Sequence, residues 1–161
     1  MKSRVRALGH PVHPMLIVFP LGLFVTAVIF DLVRLITEDT VFGQVGYWNI
    51  AAGLIGAVVA AAAGLLDWTA IPPGTRAKRV GLLHGAGNTV VLVLFLIAWL
   101  ARGDSPDHVA STGLFTLEVI AIAVSGVAAW LGGELVDRLA IGVDEHAHPD
   151  ATSSLTGASR G

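Results

Sequence analysis

The sequence predicts an all-α integral membrane protein, a four-helix bundle that crosses the bilayer up-down-up-down. Of its 161 residues 54% are hydrophobic and 14% are charged, a balance too apolar for an ordinary soluble domain. The apolar residues form four stretches, each with about the 20 residues that cross roughly 30 Å of hydrocarbon. Segments 16–30 and 90–100 are apolar all round apart from Thr26, whereas a helix of a soluble bundle keeps a polar face.

Residues 1–14 form the predicted cytoplasmic segment ahead of the first helix, which we place at about 15–36. Its basic residues, Lys2, Arg4 and Arg6, resemble the start of a signal peptide. The apolar stretch behind them is too long for a signal peptide, and no small-residue cleavage site ends it. We therefore expect the first helix to be retained as a membrane anchor.

The run HPVHP ends this segment. A proline follows each of His10 and His13, which disfavours helical conformation at both, and Pro14 suits the first helical position. His13 is then the predicted N-cap. The prolines would hold two imidazoles at a fixed spacing, or they would only order the point where the chain enters the membrane, with the histidines at the interface.

Three further apolar stretches predict helices at about 47–66, 80–101 and 113–136, which complete a transmembrane domain over residues 15–141. The loops between them are short, so consecutive helices should pack as antiparallel neighbours in the lipid bilayer. Small residues recur at spacings of four in the second helix, which lets helix backbones approach closely. Packing within one chain explains this pattern best, and a homo-oligomer is left open.

Basic residues predict the orientation of these helices. They concentrate in segment 1–14 and at 76–79, whereas loops 37–46 and 102–112 carry more acidic than basic side chains. The positive-inside rule then places both termini in the cytoplasm. The predicted location is the inner (plasma) membrane, crossed several times.

Residues 142–161 are polar and are predicted to form a disordered cytoplasmic tail. His146 and His148 have the spacing of a metal-binding pair, but nothing in the tail would preorganise them as ligands. Cysteine is absent, which excludes disulfides, c-type haem and cysteine-ligated iron–sulfur clusters within this chain. A net charge of −2 without a basic patch argues against nucleic acid as a partner.

The two helical hairpins resemble a repeat. His13 precedes Asp67 by 54 residues, and His84 precedes Asp137 by 53. Hairpins threaded in the same direction would be related by an axis along the membrane normal. The matching spacings therefore predict that two histidines and two acids lie around a pseudo-twofold axis at the cytoplasmic face.

His84 is the strongest candidate ligand, because it lies inside the third apolar stretch between glycines, in LLHGAGN. Glycines on both sides allow close helix packing or leave room for a flat ligand over the imidazole. Histidines facing each other from helices one and three could ligate haem b axially. Imidazoles with carboxylates could instead ligate zinc, iron or another divalent metal. The candidate haem ligands are His10, His13 and His84, and the metal set adds Asp67, Glu134 and Asp137.

Two acids lie in the spans nearer the outer face. Asp31 precedes Arg34 by three residues, which is close enough for an ion pair on a helix, and we expect it to be structural. Glu118 has no neighbour of opposite charge in the sequence and is a second polar point within the bilayer.

The run HPVHPMLIVFPLGL, followed later by GLLHGAGN, resembles a family of uncharacterised bacterial four-helix membrane proteins defined as a domain of unknown function. The resemblance covers Ala7 to Val136. The motif is matched here by His10, Pro11, His13, Pro14 and Pro20. Relatives joined to Rieske-type ferredoxin domains imply a redox setting, in which this chain would need a separate redox protein as its iron–sulfur partner.

The function that the sequence favours is a cofactor-binding redox or metal-handling protein with a histidine–carboxylate site at the inner face. The alternative is a structural or accessory subunit without a cofactor. A solute or proton channel ranks last, since helices two and three offer no polar path across the bilayer. Whether the protein is an enzyme is left undecided.

Overall fold

The computed structural model describes residues 2–105 and 107–155. A two-stranded antiparallel ribbon, β1 (Arg6–Ala7) and β2 (His10–Pro11), precedes the helices. The four long helices are α1 (Val12–Thr37), α2 (Thr40–Ala70), α3 (Arg76–Gly103) and α4 (Thr112–Gly133), and a π-helical turn, Glu134–Arg138, continues α4. All four are long and apolar enough to cross a membrane, so the predicted all-α membrane bundle is confirmed.

The helices extend beyond the apolar stretches that predicted them, because polar side chains cap their first turns. Asp39, Thr75 and Ser111 each accept a hydrogen bond from a backbone N–H of the first turn, at 3.0, 3.1 and 3.3 Å. α2 therefore begins at Thr40, well before the predicted start.

The prediction that His13 is an N-cap is wrong. Pro11 is the N-cap of α1, and His13 is the second helical residue. The first N–H groups of a helix have no partner within it, so Pro14 deprives the first turn of no hydrogen bond. His13 can consequently be helical even though a proline follows it.

The helices pack in ring order, with α1 against α2 and α3 against α4, so that α1 and α3 face each other across the centre. The rings of Phe24 and Phe95 stack there with centroids 4.1 Å apart. They belong to a buried apolar core, together with Ala27, Ile50, Val91 and Ala121. Many large apolar side chains point outward, as lipid-facing surfaces require.

The positions of the buried residues in α1 and α2 recur in α3 and α4, but the second helix of each hairpin follows a different register from the predicted one. The buried residues of α1, namely Pro20, Phe24, Ala27 and Asp31, recur 71 residues later as Val91, Phe95, Ala98 and Arg102. Ile50, Gly53 and Ala60 of α2 recur 68 residues later as Glu118, Ala121 and Ala128 of α4. Asp67 therefore corresponds to Leu135 rather than to Asp137.

The first part of the tail lies against the amino-terminal segment. The Ser154 hydroxyl donates to the Leu8 carbonyl at 3.2 Å, and Lys2 pairs with Asp144 at 3.3 Å. A hydrogen bond from the His146 N–H and the Lys2 ammonium hold the pKa of Asp144 below its usual range. The pair with Lys2 is thus lost only when the pH falls through that lowered pKa. Residues 156–161 of the predicted tail lie outside the described residues.

Candidate functional site: paired histidines and a buried ion cluster

His13 in the first turn of α1 and His84 in the third turn of α3 come together near the end of the bundle where both helices begin, which we call the amino end. Their ring centroids lie 6.3 Å apart, with the ring planes at 87°. This proximity agrees with the prediction that the threading of the helices brings the two histidines together at one end of the bundle. Both side chains are half-buried.

A backbone carbonyl of the partner helix orients each imidazole. His13 Nδ1 donates to the Ala60 carbonyl and His84 Nδ1 donates to the Ala128 carbonyl, both at 2.8 Å. A carbonyl oxygen can only accept, so each ring carries a proton on Nδ1. Nε2 is then the ring nitrogen available to a metal. In His84 the Asn88 amide nitrogen donates a hydrogen bond to Nε2 at 3.3 Å, so a metal bound there would have to displace the Asn88 amide.

A glycine lies one turn beyond each of these carbonyls and makes room for the ring. A Cβ built on Gly64 would lie 2.9 Å from His13 Cε1, and one built on Gly132 would lie 3.0 Å from His84 Cε1. In the sequence, these contacts of the imidazoles are marked by an alanine and a glycine four residues apart, Ala60 with Gly64 and Ala128 with Gly132. Read only as helix packing, that spacing did not identify these positions as contacts of the histidines.

The other predicted ligands lie in separate contacts. His10 is exposed in β2, with Nδ1 3.2 Å from the Leu8 carbonyl. Glu134 pairs with Arg76 at 2.5 Å, and Asp137 is exposed on the π-helical turn beside an open groove.

Asp67 binds the amino-terminal segment. Its oxygens accept from the Ser3 hydroxyl at 2.7 and 2.8 Å and from the N–H groups of Arg4 and Val5 at 2.7 and 3.3 Å. The described residues contain no group of three or more His, Cys, Asp or Glu side chains that could hold a metal ion. The structure therefore brings together two of the three histidines of the predicted set, His13 and His84, and none of its acids.

A second polar cluster is buried at the opposite end of the bundle. Arg102 of α3 contacts both oxygens of Asp31 at 2.8 and 2.9 Å, and it contacts Glu118 Oε1 at 2.9 Å. None of the three side chains is exposed. We call these three residues the ion cluster.

The expected pairing of Asp31 with Arg34 is wrong. Arg34 donates instead to the Ala110 carbonyl at 3.3 Å, while Asp31 pairs with Arg102, its counterpart in the repeat. The sequence contains a sign that Asp31 and Arg102 are counterparts, because Asp31 follows His13 by 18 residues and Arg102 follows His84 by the same interval. Arg102 was missed because it stands where the apolar stretch gives way to the loop.

The loop between α3 and α4 covers the ion cluster. The His108 carbonyl accepts from Arg102 Nε at 2.8 Å, and His108 Nδ1 donates back to the Arg102 carbonyl at 3.0 Å. The His108 ring stacks on Tyr47 of α2 with centroids 4.2 Å apart. Its φ of 50° lies in the left-handed region, which histidine enters more readily than most residues.

Comparison with known proteins identifies one family. Residues 9–145 match a family described as predicted membrane protein (DUF2231), and no function is established for it. No curated protein matches the chain, and no solved structure does.

Proposed function

The chain belongs to the DUF2231 family of predicted membrane proteins, and we propose that it binds haem b through His13 and His84 in a redox role. The observation that carries the proposal is the pair of imidazoles, each oriented by a backbone carbonyl, with ring centroids 6.3 Å apart. Two imidazoles on opposite sides of one metal ion, at nitrogen–metal distances of about 2 Å, have ring centres roughly 6 Å apart.

The number of ligands favours haem b over a simple divalent metal. A zinc site takes three or four protein ligands, and the described residues bring only two histidines together. Haem b needs two axial ligands from the protein, since the porphyrin supplies the other four nitrogens. The hydrogen bonds from Nδ1 to the carbonyls of Ala60 and Ala128 would fix the rings and raise the basicity of Nε2.

Spectroscopy and metal analysis of the protein, purified in detergent from cells supplied with haem and iron, test this proposal. We expect a Soret band that changes on reduction, at one haem per chain, because both ligands belong to the same chain. His13→Ala and His84→Ala should each abolish it, because one axial imidazole cannot replace the other. His146→Ala and His10→Ala are the controls and should leave it unchanged, since both side chains are exposed.

The other outcomes separate the alternatives. Stoichiometric zinc or iron without a Soret band would mean that the same histidines bind a divalent metal instead of haem. Folded wild-type protein with neither pigment nor metal would overturn the proposal and favour the structural or accessory subunit.

We further propose that the amino end faces the cytoplasm of a plasma membrane, where a separate redox protein would exchange electrons with the haem. The support is the excess of basic residues in segment 1–14 and at 76–79. Reporter fusions at Arg76 and Val143 should then report cytoplasm, and fusions at Asp39 and Asp107 the outside. A fusion at Arg76 that reports the outside would overturn this orientation.

A further inference from the structure

The ion cluster contains one cation and two carboxylates, all fully buried in a membrane bundle. Asp31 contacts the guanidinium of Arg102 through both oxygens, whereas Glu118 contacts it through Oε1 alone. A carboxylate that leaves water needs opposite charge and hydrogen-bond donors to replace its hydration. Within the cluster, only Arg102 could supply this charge and these donors to Glu118.

Arg102 has no donor left for the second oxygen of Glu118. Its five N–H groups serve five acceptors: two oxygens of Asp31, Glu118 Oε1, and the carbonyls of Gly43 and His108. Glu118 Oε2 is buried and has no hydrogen-bond partner within residues 2–105 and 107–155. An ionised Glu118 would therefore keep one oxygen without any donor.

Among the described residues, no second cation forms an ion pair with Glu118. Arg34 of α1 is half-buried, donates to a backbone carbonyl and forms no ion pair with either acid of the cluster within 4.0 Å. α2 presents the Gly43 carbonyl and the Tyr47 ring, which lies 6.0 Å from the Arg102 guanidinium carbon. The loop presents the His108 carbonyl, and the His108 ring faces Tyr47.

We propose that Glu118 is a proton-binding site and is a neutral carboxylic acid in the resting protein. The ligand is a proton, bound to a carboxylate oxygen of Glu118. A single proton makes the cluster electrically neutral, because Asp31 and Arg102 already cancel. Release of the proton to water leaves a net charge of −1 that the contacts of Arg102 cannot compensate.

The loop between α3 and α4 covers the cluster at its end of the bundle. His108 of this loop is bonded to Arg102 twice, and the Arg102 guanidinium holds both acids. The proton site therefore exchanges with the side of the membrane that the loop faces, at the end opposite the histidine pair. This inference is independent of the proposed haem site.

Infrared spectroscopy of the full chain tests the site. We expect a C=O band of a protonated carboxylic acid at neutral pH, shifted in D₂O, which disappears completely in Glu118→Gln. Glu38→Gln is the matched control, because Glu38 is exposed at the same end of the bundle, and it should keep the band. Haem content should be unchanged in both variants, which separates this test from that of the histidine pair.

Isotope labelling keeps the proposal testable if Glu118→Gln does not fold. In wild-type protein labelled with ¹³C at the glutamate carboxyl, the band should shift, and raising the pH should remove it. Folded wild-type protein without a protonated carboxyl band at neutral pH, or with a band that glutamate labelling does not shift, would overturn the proposal.

Discussion

Arg102 joins three helices and a loop through one buried side chain. Replacing it by methionine leaves the Asp31 carboxylate buried without a cation and removes the hydrogen-bond donor of Glu118, so we expect Arg102→Met to lower the free energy of unfolding by about 3–5 kcal/mol. Denaturant unfolding in detergent measures the loss. Arg79→Met is the control, because Arg79 is exposed at the other end of α3. Equal stability of the two variants would contradict the assigned role of Arg102.

Gly132 and Gly126 of α4 make a matched pair for testing the contact with the imidazole. Gly132→Ala places a Cβ 3.0 Å from His84 Cε1, so the ring must shift by a few tenths of an ångström, which strains its 2.8 Å bond to the Ala128 carbonyl. Gly126→Ala meets nothing within 4 Å and gains about 1 kcal/mol of helix propensity. We expect the first to destabilise the protein and the second to stabilise it in thermal unfolding.

NMR spectroscopy should detect the displacement of the His84 ring in Gly132→Ala directly. The NMR signals of the His84 ring should shift in Gly132→Ala and remain in place in Gly126→Ala. Unchanged signals in both variants would mean that α4 does not hold the ring as described.

At the scale of elements, Asp67 ties the amino-terminal segment to α2. Asp67→Ala removes the acceptor of the Ser3 hydroxyl and of two backbone N–H groups, so we expect residues 2–11 to detach while the helices persist. Hydrogen exchange at Arg4 and Val5 should rise several-fold. Asp104→Ala, at an exposed carboxylate at the end of α3, is the control and should leave that exchange unchanged. Faster exchange throughout the helices would contradict a local role.

The sequence predicted the elements better than their contacts. Continuous apolar stretches specify membrane helices without any knowledge of packing, and the threading of those helices sufficed to place His13 and His84 at one end. Partners such as the Ala60 carbonyl could not be predicted, because a backbone group leaves no mark in residue type. Asp31 and Arg102 are 71 residues apart, so their pairing became evident only when the register of the two hairpins was known.

At the scale of the whole molecule, the repeat predicts that the hairpins are separable halves. We expect fragments 1–73 and 74–161, expressed together, to copurify through a tag on one half, since Gly74 lies in an exposed loop. Neither fragment should pair with itself, because two Asp31 or two Arg102 side chains would then meet at the axis. Arg102→Asp in the second fragment should abolish copurification. Efficient pairing of that variant would mean that the ion cluster does not select the partner.

The stacked rings of Phe24 and Phe95 have a consequence for how the two ends communicate. They lie within an entirely apolar core between the histidine pair and the ion cluster. Hydrocarbon of this kind has a low dielectric constant and offers no chain of hydrogen bonds along which a proton could hop. The middle of the bundle is therefore an electrical insulator, and a proton bound at one end cannot pass through this core to the other end.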